Sequence, residues 1–225
     1  MAEPTPTPRR RDALVAGATG LVGRALLDLL IASSAYERVH VLLRRPAKGL
    51  PSDPMLQIHF VDFAQQPPMP PVDDVYIALG TTIGIAGSRE AFRRVDFDAV
   101  LNTARACAAR GAKRLVVVSA LGANPRSRIF YNRVKGQMEQ AVVKLGYESV
   151  VIVQPSLLAG DRSALSQPKR AGEEWTMRLL KPVMRWVPRG MRPIAAGAVA
   201  RAMLDAALKA EPGVRVLVSR EMQPG

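Results

Sequence analysis

The sequence predicts an α/β protein built on a doubly wound parallel sheet. Three observations predict it. Short apolar runs alternate with helix-length amphipathic stretches along most of the chain. Several of those runs are apolar throughout, as strands covered on both faces are. The first run, Ala13–Ala16, stops at Gly17, and a helical pattern opens at once, with glycines recurring at Gly20 and Gly23.

The elements follow in order. The opening helix places Leu21, Val22, Ala25, Leu26, Leu29 and Leu30 on one face. Val39–Leu43 is a continuous apolar run ending in Arg44-Arg45-Pro46, so it reads as a buried strand. A Pro/Gly-rich loop, Ala47–Pro54, precedes a third strand at Gln57–Asp62. Gln65–Pro71 contains four prolines and is a loop. Asp74–Leu79 is a fourth strand, broken by Gly80-Thr81-Thr82 and a Gly-rich loop. A long helix is predicted over Phe92–Ala109, with Gly111 at its stop. Leu115–Ser119 is a fifth strand, Phe130–Leu145 a helix ended by Gly146, and Val150–Val153 a sixth strand closed by Gln154-Pro155. Trp175–Val187 is amphipathic, Ala198–Lys209 helical and Val214–Val218 a last strand. No internal repeat is present.

The glycine spacing has a physical reading. Gly17 lets the chain leave its strand in a conformation closed to other residues. Gly20 lets a pyrophosphate rest against bare backbone, and Gly23 lets the helix pack close to the sheet. The helix N-terminus then offers N–H groups and a positive dipole end to an anion.

The 225 residues suit one α/β domain, expected over 12–225, with 160–195 as a small elaboration on the substrate side. The first eleven residues alternate Pro and Thr, end in three arginines, and are expected to be a disordered tail. They lack the apolar stretch of a secretory signal, and no window of about eighteen apolar residues predicts a membrane span. The net charge is +13, and 25 of the 32 basic residues are arginine. Such a charge attracts anions, but the basic residues are dispersed, which reads as a solvated surface rather than a dedicated nucleic-acid face. The single cysteine, Cys107, excludes an internal disulfide and reads as a packed thiol in a reducing, cytoplasmic setting. No metal site is assigned.

A second constellation lies downstream. Ser119 ends the fifth strand, Tyr131 follows twelve residues on, and Lys135 four after that. Ligands of such sheets bind at the carboxyl ends of the strands, so Ser119 shares an edge with the glycine turn. Tyr131 and Lys135 share one helix face. A phenol beside an ammonium can give a proton to a carbonyl oxygen or take one from an alcohol, and a serine hydroxyl can hold that oxygen. The alternative reading makes Ser119 a turn residue and Tyr131 and Lys135 a surface pair.

Gly17-x-x-Gly20-x-x-Gly23, Ser119 and Tyr131-x-x-x-Lys135 resemble the short-chain dehydrogenases/reductases. Leu79-Gly80-Thr81-Thr82, Phe92-x-x-Val95-Asp96, Ser119-x-x-Gly122-Ala123, Phe130-Tyr131-Asn132-x-Val134-Lys135-Gly136-x-x-Glu139 and Pro155-Ser156-Leu157-Leu158-x-Gly160 sharpen this. They resemble the atypical branch that contains the Tat-interacting-protein oxidoreductase-like proteins and bacterial NAD(P)H-binding relatives. The resemblance covers roughly residues 13–220 and implies a Rossmann-type fold.

It also implies roles. Thr19, Gly20, Leu21 and Val22 would present backbone to the pyrophosphate. Arg44 and Arg45 stand where NAD-preferring members carry an acidic residue, and would suit the 2′-phosphate of NADP(H); the alternative is surface charge. Asp62 and Phe63 would flank the adenine, although Asp62 also reads as a turn cap. Leu79, Gly80 and Thr81 would line the adenosine ribose. Lys135, beside Tyr131, would bond the nicotinamide ribose, and Pro155, Ser156 and Leu157 would border the nicotinamide. The helix asparagine used for proton relay in many classical members has no convincing counterpart; Asn102 is only a weak candidate. The short region beyond Gly160 argues against a large nucleotide-sugar pocket.

Two function classes follow. The first is an NADPH-dependent oxidoreductase acting on a small carbonyl or alcohol, with Tyr131 as acid/base, Ser119 as orienter and Lys135 as tuner. The second is an NADPH-binding regulatory or scaffold protein that engages a protein partner without turnover. A weaker reading attaches Trp175–Val187 to a membrane surface; a helix covering the substrate site is the other reading of that stretch.

Overall fold

Strand β1 (Arg11–Ala16) shows why its run is apolar throughout: it lies inside a sheet covered on both faces. Ala13 and Val15 pack into one core, and Leu14 and Ala16 into the other. The computed structural model describes residues 9–65, 69–159 and 192–223. Helix α1 (Leu21–Ile31) lies over the first face and returns the chain to β2 (Tyr36–Leu43) and the edge strand β3 (Leu56–Phe60). The chain then crosses to β4 (Asp74–Ile77), which pairs with the other side of β1.

Beyond β4 come the short helices α2 (Ile83–Ala86) and α3 (Arg89–Arg93), a π-helical segment (Arg94–Ala99) and α4 (Val100–Ala108). Strand β5 (Arg114–Val118), α5 (Phe130–Val143) and β6 (Ser149–Gln154) follow. A two-stranded pair, β7 (Leu158–Ala159) with β8 (Ile194–Ala195), leads into α6 (Ala196–Lys209), β9 (Gly213–Val218) and α7 (Ser219–Met222).

The seven-stranded sheet runs β3-β2-β1-β4-β5-β6-β9 with every pairing parallel. Helices α1 and α6 cover one face, through Leu26, Leu30, Val199 and Met203. Helices α4 and α5 cover the other, through Val100, Ala104, Met138 and Val142. The order reverses between β1 and β4, and a crevice opens at such a switch point beyond the carboxyl ends of the strands.

Three expectations change. Arg11, placed in the tail, begins β1: its N–H donates to Ala35 O at 2.8 Å and its guanidinium meets the Asp74 carboxylate. The Gly-rich loop after β4 contains α2, capped by Thr82 Oγ1, which accepts from Ile85 N–H. The helix predicted over Phe92–Ala109 starts earlier, at a Ser88 cap, and is interrupted by the π-helical turn. Trp175–Val187, and all but the last few residues of the expected elaboration at 160–195, lie outside the described residues. Cys107 is fully buried, and burial pushes its thiol up to about 12, as a packed thiol requires.

The amino ends of the strands are tied by a buried polar cluster. Asp74 takes hydrogen bonds from Arg114 Nε, from Arg11 at 3.3 Å and from Tyr36 Oη at 2.6 Å, and Tyr36 Oη lies 2.7 Å from Tyr76 Oη. Burial holds both phenols above their ordinary range.

Candidate functional site

The turn after β1 is dictated by its glycines. Gly17 has φ +95°, and a Cβ there would fall 2.5 Å from the carbonyl of Ala78. A Cβ at Gly23 would fall 2.1 Å from Gly17 O, so α1 packs on the turn itself. Gly20 differs: a Cβ there would meet only Gly17 O, at 3.4 Å. Nothing inside the fold demands a glycine at 20, whereas a ligand lying over the turn would. Gly20 is the N-cap of α1 and supplies no side-chain cap, so the first N–H groups face the carboxyl edge. Thr19 is exposed, while Leu21 and Val22 turn into the core. What Leu21 and Val22 offer a ligand is therefore backbone.

Ala16 pairs with Leu42, which brings the end of β2 to the same edge. Arg44 and Arg45 follow it, exposed and without a carboxylate partner among the described residues. A third arginine escaped the sequence reading. Arg24, directly after Gly23, reaches the loop beyond β2, where its guanidinium donates to Lys48 O at 3.4 Å while its buried Nε has no partner among the described residues. The signal was its place one residue past the glycine motif.

On the far side, Asp62 Oδ1 accepts from Ala64 N–H at 2.9 Å, so its carboxylate caps its own turn. Phe63 is half-buried, and its carbonyl accepts from Asn102 Nδ2 at 3.3 Å. Asn102 thus ties α4 to the 62–65 turn rather than reaching toward Tyr131.

Leu79, Gly80 and Thr81 leave the end of β4 beside Lys135. Lys135 and Asp96 are 3% and 0% exposed, and Nζ lies 2.7 Å from Asp96 Oδ1. Asp96 Oδ2 accepts from Thr81 N–H at 2.9 Å. A Cβ on Gly80 would meet Asp96 Oδ1 at 3.4 Å and Lys135 Nζ at 3.8 Å. Asp96 was quoted in the motif but given no role. The π-helical turn that carries it is a geometry that recurs at functional sites. The ammonium expected to tune Tyr131 and to bond the nicotinamide ribose is therefore also matched by a buried carboxylate.

Tyr131 is half-buried at the start of α5, with its ring 5.3 Å from that of Phe92. The loop before it packs tightly on α5: a Cβ at Gly136 would fall 2.3 Å from the backbone of Asn124 and Pro125. Ser119 is 4% exposed, and its Oγ is enclosed without a well-formed hydrogen bond among the described residues. Burial holds the Glu139 carboxyl above its ordinary range, against the opposing effect of Ser119, Gln154 and Lys135. Pro155 is buried and Leu157 is exposed. Ser156 is committed elsewhere: its hydroxyl contacts Arg192 O and lies 2.8 Å from Ser219 Oγ.

The structure thus brings the glycine turn, Arg44, Arg45, Gly80, Thr81, Ser119, Tyr131 and Lys135 to one edge of the sheet. A family profile described as NAD(P)H-binding matches residues 17–177. The fmp52 protein of Emericella nidulans is 35% identical over 163 residues, covering 69% of this chain and 70% of its own length. The FMP52 protein of Lodderomyces elongisporus is 30% identical over 204 residues, covering 85% and 84%. Both are named as mitochondrial, which overturns the expectation of a cytoplasmic protein. Among solved structures, MoeE5 in complex with UDP-glucose and NAD superposes with a TM-score of 0.69 at 22% identity, over 92% of this chain and 75% of that one. The oxidoreductase ylbE from Lactococcus lactis superposes at 0.64 and 15% identity, over 94% of each. These structural likenesses show the fold. With the relatives' identity and the profile match, they place the chain in the NAD(P)H-binding family of atypical short-chain dehydrogenase/reductase-like proteins, alongside the FMP52 proteins.

Proposed function

We propose that the protein is an NADP(H)-dependent oxidoreductase acting on a small carbonyl or alcohol. One observation carries the reading: Lys135 Nζ, buried against Asp96 at 2.7 Å, stands beside Gly80 on the helix face that bears Tyr131. A buried cation one turn from a phenol, at the edge that holds the glycine turn, is an arrangement for acid–base work on a bound ligand. The residues present fit a dinucleotide. The backbone at Gly20 is open to approach and the first N–H groups of α1 face it.

In this reading Thr19–Val22 hold the pyrophosphate, Gly17 and Gly23 keep that turn in shape, and Lys135 bonds the nicotinamide ribose. Arg44 and Arg45 meet the 2′-phosphate, and Phe63, Leu79, Gly80 and Thr81 border the adenosine half. Asp62 contributes by fixing its turn. Pro155, Ser156 and Leu157 border the nicotinamide. Bound there, the cofactor supplies or accepts a hydride. Tyr131 Oη gives a proton to a carbonyl oxygen or takes one from an alcohol, and Ser119 holds that oxygen.

A reading without turnover, as an NADPH-responsive regulatory protein, draws on the enclosure of the Ser119 hydroxyl. Two measurements separate the readings. Calorimetry with NADPH and NADH is expected to favour NADPH. Arg44→Ala or Arg45→Ala should cost about ten- to a hundredfold in NADPH affinity, the usual worth of a charge-assisted hydrogen bond. Equal affinity for the two cofactors, unchanged in the variants, would overturn NADP(H) preference. NADPH oxidation with an aldehyde and ketone panel is expected for the enzyme; tight binding with no turnover supports the regulator.

A further inference from the structure

Helix α5 carries a third polar residue on the face of Tyr131 and Lys135. Glu139 follows Lys135 by four positions, so the three side chains lie one above another. Glu139 Oε1 accepts from Gln154 Nε2 at 2.9 Å, at the end of β6. Strand β6 is the neighbour of β5, and Ser119, the residue just after β5, donates its N–H to Val153 O at 2.7 Å. Val118 pairs with Val153, so Ser119 stands beside Gln154 at the adjacent strand end, next to the residue that holds the Glu139 carboxyl.

Two properties of this cluster need a common explanation. The Ser119 hydroxyl is enclosed, yet no hydrogen bond of ordinary geometry fixes its direction among the described residues. A buried hydroxyl in that state costs free energy unless a partner engages it. Glu139 is half-buried, and burial holds its carboxyl above the ordinary glutamate range. The groups acting on it are Ser119 from the end of β5, Gln154 from β6 and Lys135 one turn back on α5. Lys135 is already matched by Asp96, which leaves little of its charge to ionise a second carboxyl.

We infer that Glu139 is a positioning residue that sets which way the Ser119 hydroxyl points. Protonated, Glu139 donates to Ser119 Oγ and leaves the Ser119 hydrogen for a substrate carbonyl oxygen. Ionised, it takes that hydrogen and leaves Ser119 only a lone pair, which suits the O–H of an alcohol. No bond is made or broken in this exchange beyond the one carboxyl proton, which comes from and returns to solvent. The state of Glu139 thus favours carbonyl reduction at lower pH and alcohol oxidation at higher pH. The inference rests on the oxidoreductase reading, but its first test does not.

That test is a pH titration by NMR of the full chain carrying 13C-labelled glutamate carboxyls. Glu139, assigned by its loss in Glu139→Gln, is expected to titrate above the other glutamates. Ser119→Ala should move its midpoint further up, because a neighbouring hydroxyl able to donate to the ionised form is lost. An ordinary midpoint, or one that Ser119→Ala leaves in place, overturns the inference. The second test is the pH profile of NADPH-driven carbonyl reduction. Rate should fall as pH rises through the Glu139 midpoint. Glu139→Gln, whose amide always donates, should keep the low-pH rate and flatten that fall. Glu139→Ala should lower kcat about five- to tenfold, the worth of one hydrogen bond, with NADPH affinity unchanged. A profile that falls unchanged in Glu139→Gln overturns the inference. Absence of turnover with every carbonyl tried overturns the oxidoreductase reading instead, and the titration alone then decides whether Glu139 governs Ser119.

Discussion

Lys135 is a cation almost without access to water, and it is tolerable only because Asp96 lies 2.7 Å away and is itself held by Thr81 N–H. A buried pair contributes less than its Coulomb attraction suggests, since both ions lose hydration. Breaking it is another matter. Asp96→Asn keeps an oxygen for Thr81 but leaves the ammonium unmatched, and should destabilise the fold by about 3–5 kcal/mol. Urea denaturation of the two proteins measures this; a loss below about 1 kcal/mol, the worth of an exposed pair, would mean that the pair is solvated. Tyr131 is a different kind of residue, half-buried with a ring that packs on Phe92. Tyr131→Phe keeps that packing and removes only the hydroxyl. Turnover should fall about 10²- to 10⁴-fold, as for the loss of a general acid, with NADPH affinity nearly intact. Lys135→Met should lower both rate and affinity, and Ser119→Ala rate alone. A Tyr131→Phe protein that turns over a genuine substrate at the wild-type rate would exclude the phenol as the acid.

At the scale of elements, the strand–turn–helix unit shows three glycines needed for different reasons. Gly23 meets Gly17 O at 2.1 Å once a methyl is added, and both partners are backbone. Gly23→Ala should therefore push α1 off the turn, at a cost of about 1–3 kcal/mol, and abolish cofactor binding with it. Gly20→Ala meets nothing closer than 3.4 Å, so its melting temperature should stay near wild type while NADPH affinity falls. If both variants bind NADPH normally, the turn is not the pyrophosphate site. This unit was legible in the sequence because its constraints are local. The π-helical turn was not. A single widened turn leaves a 3.6-residue apolar period nearly intact over Phe92–Ala109, and its one visible sign was Asp96, an acid set among apolar residues. The polar surroundings of Ser119 were illegible for another reason: Gln154 and the Glu139 carboxyl it holds arrive from a strand and a helix still to come.

Across the whole molecule, the two edges of the sheet divide the labour. The carboxyl edge keeps open backbone and the exposed Arg44 and Arg45; the amino edge is closed by mutual satisfaction of charge. Strand count and layer order could be read from alternating patterns, since each strand's burial is written in its own residues. The amino-edge cluster could not, because its members come from four strands, and Asp74 alone looks like an ordinary turn acid beside Asp73. In the fold Asp74 is fully buried and receives Arg11, Arg114 and Tyr36, with Tyr76 behind. Asp74→Ala leaves Arg114 nearly enclosed without its anion and Tyr36 without its acceptor, so stability should fall by about 3–5 kcal/mol. The same variant should bind NADPH as tightly as the parent when both are folded, because Asp74 sits at the opposite ends of the strands from Gly17 and Arg44. Thermal denaturation with and without saturating NADPH measures both quantities. Equal stabilisation of parent and variant by NADPH is expected, since a ligand's effect depends on its affinity for the folded state alone. A variant that NADPH no longer stabilises would show that the amino-edge cluster shapes the cofactor edge through the sheet, and that the two edges are not independent.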